Sequence, residues 1–270
     1  MANVSTNKYY SGQGCLFVAD RDVNGKILTY RDVGNVSELS ITLDATVAEH
    51  KESCSGSRLT DARLVTELSA SVTMTLQNFT KENLALLFSG QVLDVTSPAA
   101  QTDVIVYTNS TGASVTLNAQ TVLFTKHLNV NTSPAVVVKN GATTLTLTTQ
   151  YTFNYTTGQI TFNDTTPVVV TAGTNITVTY TPLAWSGAMM LKNAINKERA
   201  FLFRGLNTVD SNRPVRVELF KVVLDPAQSF DVLTEEFAEF QVEGSILYDA
   251  TRDADSELGP FGRVIGDSTL

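Results

Sequence analysis

The stretch Leu64-Val65-Thr66-Glu67-Leu68-Ser69-Ala70-Ser71-Val72-Thr73-Met74-Thr75-Leu76-Gln77 decides the fold class. Leu68, Ala70, Val72, Met74 and Leu76 take every second position, and Glu67, Ser69, Ser71, Thr73, Thr75 and Gln77 fill the gaps. Side chains of a strand alternate between faces, so this is a strand with one apolar and one wholly polar face. Such a strand expects core on one side and water on the other.

Working outward, Asp32 to Asp44 repeats the pattern, with Leu39, Ile41 and Leu43 opposed to Glu38, Ser40, Thr42 and Asp44. Ala45 to Asp61 is polar and holds Gly56, so it reads as a long loop. Val33 to Gln77 is therefore expected to be a long hairpin with a polar tip. Glu236 to Tyr248 is a third alternating strand, with Phe240, Val242, Ile246 and Tyr248 opposed to Glu239, Gln241, Glu243 and Ser245. Gly14 to Ala19, Arg199 to Asn207 and Pro214 to Leu224 are further strands. One helix interrupts them. Asn78 or Thr80 is its N-cap, Phe79 its staple, and Leu84, Leu87 and Phe88 its core face, with Gly90 as the stop. The tail after Asp249 is poor in apolar residues and reads as an arm.

The middle of the chain has a different texture. Between Val95 and Thr181 there are 24 threonines and only four formal charges, Asp103, Lys126, Lys139 and Asp164, which cancel. All of the net charge of −8 over 270 residues therefore belongs to the flanking parts. A composition shift entered and left once marks an inserted domain. Its hinges are expected at Ser97-Pro98-Ala99-Ala100 and Thr181-Pro182, which gives a discontinuous body (1–95 and 182–270) and an insert (96–181). Strand candidates in the insert are 102–107, 114–117, 135–139, 151–155, 159–162, 168–170 and 176–180, with Asn140-Gly141 as a strong hairpin turn. This spacing indicates a small sandwich. The fold class is thus mainly β: a β-rich body with one clear helix, plus a small Ig-like β-sandwich insert.

Composition excludes several functions. Nineteen Lys and Arg against 27 Asp and Glu exclude a basic nucleic-acid binder. Cys15 and Cys54 are the only cysteines, so there is no disulfide framework. No apolar run approaches the length that spans a bilayer, and the first residues carry no apolar leader core, so neither membrane insertion nor secretion is expected. The acceptor triplets Asn109-Ser110-Thr111 and Asn175-Ile176-Thr177 then have no glycosylation context.

Catalytic signatures are also missing. His50 and His127 fall in different domains, and neither has a second His or Cys at ligand spacing. Phosphate-binding and nucleophile-elbow motifs do not occur. Cys54 near His50 reads as a loop thiol beside a solvated imidazole. The paired carboxylates Glu235-Glu236 and Asp253/Asp255 read as solvated acids, not as a glycosidase pair. No enzyme activity, catalytic residue, metal or cofactor is expected.

The order of these elements resembles the tail tube proteins of long-tailed, siphophage-type bacteriophages. The likeness is carried by the Val33–Gln77 hairpin and the Asn78-Phe79-Thr80-Lys81-Glu82-Asn83-Leu84 helix start. It continues in Arg199-Ala200-Phe201-Leu202-Phe203-Arg204-Gly205-Leu206-Asn207, in the Val215–Pro226 strand and in the Phe237–Ile246 strand. It covers about residues 10–94 and 195–250; the 151–180 stretch is similar to β segments that several such proteins carry. The resemblance implies a body that is a β-sandwich or partial barrel with one flanking helix, in a structural virion protein. Six copies form a ring, and rings stack into a tube through which DNA passes. The hairpin loop and terminal arms tie rings together. The implied partners are further copies of itself and the tape-measure, terminator and baseplate or tip proteins, in a tail assembled in the bacterial cytoplasm.

On this reading the polar strand faces line the lumen: Glu38, Ser40, Thr42, Glu67, Ser69, Ser71, Thr73, Glu239, Gln241 and Glu243, with Glu218 joining them. An acidic lumen repels phosphates, so DNA slides through without sticking. Inter-ring contacts fall to Glu49, His50, Lys51, Glu52, Arg58, Asp61 and Arg63 of the hairpin tip. The rival readings are a terminator or baseplate ring protein of the same fold, a Thr-rich adhesin-type subunit, and a carbohydrate-active enzyme.

Overall fold

The computed structural model describes residues 9–54, 56–96, 98–105, 113–192, 196–252 and 257–266. Ser97 of the expected hinge, the acceptor site at Asn109, the end of the 102–107 strand and the Asp253/Asp255 pair lie outside these residues. The protein is mainly β, with several sheets and one helix.

The chain divides into two compact units, Met1–Val92 with Ala188–Leu270, and Leu93–Gly187. The second unit begins three residues before the expected boundary at 96 and ends six after the one at 181 (96 − 93 and 187 − 181).

The strands of the first unit are β1 (Gly12–Asp20), β2 (Arg31–Asp32), β3 (Val36–Lys51), β4 (Thr60–Leu76), then β16 (Glu198–Asn207), β17 (Arg213–Leu224), β18 (Phe240–Ile246) and β19 (Gly262–Gly266). They form one eight-stranded sheet in the order β2-β1-β16-β17-β18-β4-β3, with β19 on β17. Every described pairing in it is antiparallel. The apolar faces meet in a core of Leu16, Val18, Val72, Met74, Leu76, Phe201, Val222, Leu224, Val242 and Ile246.

Three expectations are corrected here. The long loop from Ala45 to Asp61 is mostly strand: β3 runs on to Lys51 and β4 starts at Thr60. Its residues are polar because both faces are solvated, and backbone pairing does not require a buried face. The tail is not a free arm. Asp249 is buried against Arg21 at 2.8 Å, and β19 pairs with Val215–Leu219 of β17. Backbone hydrogen bonds hold this segment where side-chain hydrophobicity did not announce it. The third alternating strand is shorter than its pattern, spanning Phe240–Ile246.

The helix α1 spans Lys81–Leu87, and the Thr80 hydroxyl caps it by accepting from the Asn83 amide. Asn83 is buried, and its side chain bonds the Val33 and Asn78 carbonyls and Arg31. Leu87 is buried as expected, joined by Ala85 and Leu86, whereas Leu84 and Phe88 are half-buried against the core. Phe79 is 64% exposed and tilts against Phe240. The left-handed residue after the helix is Ser89 (φ 44), not Gly90. Gly90 serves clearance: a Cβ there would lie 1.8 Å from the Met189 carbonyl oxygen.

The second unit holds β6 (Gln101–Ile105), β7 (Val115–Leu117), β8 (Val122–Phe124), β9 (Val137–Asn140), β10 (Thr143–Thr144), β11 (Tyr151–Asn154), β12 (Gln159–Phe162), β13 (Val168–Val170) and β14 (Ile176–Tyr180). They form sheets β10-β9-β14-β6, β11-β12-β8 and β13-β7. Asn140-Gly141 turns β9 into β10, with Gly141 at φ 59. The core contains Leu117, Val138, Tyr151, Ile160, Phe162, Ile176, Val178 and Tyr180. The two passages between units are β5 (Gln91–Val95) and β15 (Trp185–Met189), which pair with each other. Neither these two strands nor β8 follows from alternation alone.

Candidate assembly surface

The register of β18, β4 and β3 decides where the polar residues go. Glu38 lies opposite Thr75 and Thr75 opposite Gln241. Ser40, Thr73 and Glu243 make the next row, and Thr42, Ser71 and Ser245 the one after. Asp44 with Ser69 and Thr46 with Glu67 continue the face outward on two strands. Directly opposed residues share a face, so Glu38, Ser40, Thr42, Glu67, Ser69, Ser71, Thr73, Gln241 and Glu243 stand together on one surface. No Lys or Arg occurs in these rows. Glu239 sits just before β18, bonded by Gln77 at 2.7 Å. Beside it Thr75, Asp225, Asp231, Gln241 and Glu243 line an open depression of about 500 Å³.

Glu218 does not extend this row as a free carboxylate. It bonds Arg263 at 2.6 Å and Arg216 at 3.0 Å, which neutralise it. Arg263 belongs to the segment expected to be an arm, so no strand pattern pointed to this pairing.

The opposite face tells a different story along its length. Leu39, Met74 and Val242 form one apolar row, then Ile41, Val72 and Gly244, then Leu43, Ala70 and Ile246. Met74 and Val242 are fully buried, but Leu43 is 76% and Leu68 65% exposed. Beyond Ser69 only β3 and β4 remain, because β18 ends at Ile246 opposite Ala70. A register shift between Thr46 and Val47 brings Val47 opposite Val65 and Ala48 opposite Leu64. Leu64 and Val65 are therefore on opposite faces of a two-stranded arm, 65% and 47% exposed. The adjacent pair Leu64-Val65, out of step with the alternation, is the sequence signal of that bulge. Among the described residues the outer edge of β3 has no strand partner over its 16 residues. An unpaired edge of that length without Pro is a template for another strand.

At the arm's end, Glu49 and Arg63 are opposed, as are His50 and Ala62, and Lys51 and Thr60. The tip candidates Glu49, His50, Lys51, Asp61 and Arg63 are thus strand residues, and only Glu52 and Arg58 lie in the short turn. His50 Nδ1 is 2.7 Å from Asp61, with both side chains exposed. The imidazole is therefore partnered by a carboxylate, and the Cys54 amide bonds Glu52. Among the described residues no His, Cys, Asp and Glu cluster is placed to hold a metal ion, and no helix is long and apolar enough to cross a membrane.

These features define a β-rich protein whose outstanding surface is an unpaired strand edge and a half-uncovered hairpin. The chain belongs to the family described as "Protein of unknown function UCP028589", which matches residues 9–265. No curated protein matches it.

Proposed function

We propose that the protein is the ring-forming subunit of a long-tailed phage's tail tube, with the tail tube fold in its first unit and an Ig-like insertion in its second. One observation carries this reading: the β3–β4 arm has apolar side chains exposed on both faces and a free edge strand beside them. A lone two-stranded ribbon is marginal in water, and three strands or a packed face are needed for independent stability. A neighbouring copy supplies both. Head-to-tail pairing of the free edge with the next copy closes into a ring when the rotation closes, and a closed barrel leaves no edge exposed.

The polar face of β18, β4 and β3 then forms the inner wall. Its carboxylates, Glu38, Glu67 and Glu243 with Asp44 and Glu239, have no cation among them in the rows. At physiological ionic strength their repulsion of phosphate reaches about 8 Å from the wall. That is enough to keep DNA from adhering and short enough to let it fill the channel.

Negative-stain microscopy of the purified protein tests the reading. Stacked tubes on the order of 100 Å wide, as barrel diameter scales with strand number, are expected. Isolated rings that never stack would select the terminator or baseplate role, and a monomer that persists at high concentration would remove the reading.

A further inference from the structure

The second unit has few charges, and one of them, Asp103, is built into a chain of hydrogen bonds. The Tyr180 hydroxyl donates to Asp103 Oδ2 at 2.7 Å, and the Lys126 amide donates to the same oxygen at 2.7 Å. Tyr180 Oη also lies 2.8 Å from Nδ1 of His127. Tyr180 is buried, and that burial together with the Asp103 bond holds its phenol protonated well above the usual range. A phenol has one proton, and a carboxylate has none to give. The Tyr180 proton is therefore committed to Asp103, and His127 must donate from Nδ1. The neutral imidazole keeps Nε2 as its protonatable nitrogen. The His127 backbone is fixed as well, since its carbonyl accepts from Thr125 at 2.8 Å.

The ring of His127 lies 5.5 Å from that of Trp185, tilted by 54°. Trp185 opens β15, the strand on which the chain leaves this unit. Among the described residues, the titratable groups linked to His127 are Tyr180 of β14 and, through it, Asp103 of β6, while β15 carries no charged side chain and presents the indole.

We propose that His127 is a proton-operated clasp on Trp185. Taking up a proton at Nε2 breaks none of the existing bonds. It places a cation one phenol away from the Asp103 carboxylate and within cation–π range of the indole. Acid tightens the hold on the first residue of β15 and its removal relaxes it.

Trp185 is the only tryptophan in the chain, so it reports on its own clasp. Its emission, followed from pH 8 to pH 5 on the full-length protein, is expected to change reversibly as a one-proton curve. His127→Gln should flatten that curve and His50→Gln should leave it intact. Tyr180→Phe, which keeps the ring but removes the oxygen that holds Nδ1, frees the imidazole to turn and should shrink the amplitude of the curve. Hydrogen exchange at β15, corrected for intrinsic rates, should be about 2- to 30-fold slower at pH 5 than at pH 8, the span of a partly to fully desolvated cation–π contact. A flat wild-type emission curve between pH 8 and pH 5 would overturn the proposal. So would an unchanged curve in a folded His127→Gln. Should that variant not fold, the Tyr180→Phe amplitude decides: an amplitude equal to wild type overturns the clasp.

Discussion

The two halves of the β3–β4 hairpin carry the same alternation and meet opposite fates. In the near half Val72, Met74 and Leu76 are buried at 0–1% exposure; in the far half Leu43, Leu64 and Leu68 stand at 65–76%. The difference is what lies over them. Sheet neighbours and α1 cover the near half, whereas Leu43 stands on the edge strand in the last row that β18 supplies, and Leu64 and Leu68 lie past it. Alternation therefore states that a face is apolar, and says nothing about whether the same chain covers it.

That contrast can be broken by substitution. The largest effect is expected where the covered part is locked by charge. Arg21 and Asp249 are 3% and 4% exposed and bonded at 2.8 Å, with Arg21 also reaching the Phe220 carbonyl. Arg21→Ala leaves a buried carboxylate without its cation, and should cost about 3–5 kcal/mol in urea unfolding. The same pair predicts a pH dependence. Burial pushes the Asp249 carboxyl up, but hydrogen bonds from Thr251 and Arg21 outweigh it and hold the group below its usual value. Its contribution is therefore complete above the ordinary aspartate value of about 4 and is lost as the pH falls below it. Stability measured from pH 7 to pH 3 should drop at the acid end, and Asp249→Asn should flatten that drop.

Met74→Ala in the near half should lower stability by about 2–5 kcal/mol, because it opens a cavity in a packed core. Thr80→Ala removes the helix cap and should cost about 1 kcal/mol by the same measurement. The smallest effect on the monomer is the most informative. Leu43→Ser and Leu68→Ser should change unfolding by less than about 0.5 kcal/mol each, as exposed positions do. In assembly each should lose the burial of one leucine, about 1.5–3 kcal/mol, or roughly 10- to 150-fold in the association constant. Sedimentation velocity reads this. A large loss of monomer stability would mean that the far half is covered by its own chain after all.

Much of the fold was legible in the residues. Alternation located the main strands and assigned Glu38, Ser40, Thr42, Ser69, Ser71, Thr73, Gln241 and Glu243 to polar faces. Thr80 and Asn140-Gly141 announced a cap and a turn, because their chemistry is local. The uncharged stretch between Val95 and Thr181 marked the second unit, since composition follows the surface each unit presents. What stayed hidden depends on contacts distant in the chain. Glu218 reads as another free carboxylate until Arg216 and Arg263 close on it. The tail reads as an arm until β17 offers it an edge. His127 reads as a lone histidine until Tyr180, 53 positions away, brings Asp103 within reach.

That this is a β protein of two textures, with long two-faced strands and an acidic excess confined to one of them, can be read from the order of residues alone. Period-2 patterning, capping and turn chemistry act over a few residues, so they can be read in order. Folding in three dimensions is what makes three polar faces one surface, lets the hairpin outrun its own core, and holds the tail by a buried ion pair and a paired strand. Those outcomes depend on register and on which element covers which, and both are set by residues far apart in the chain.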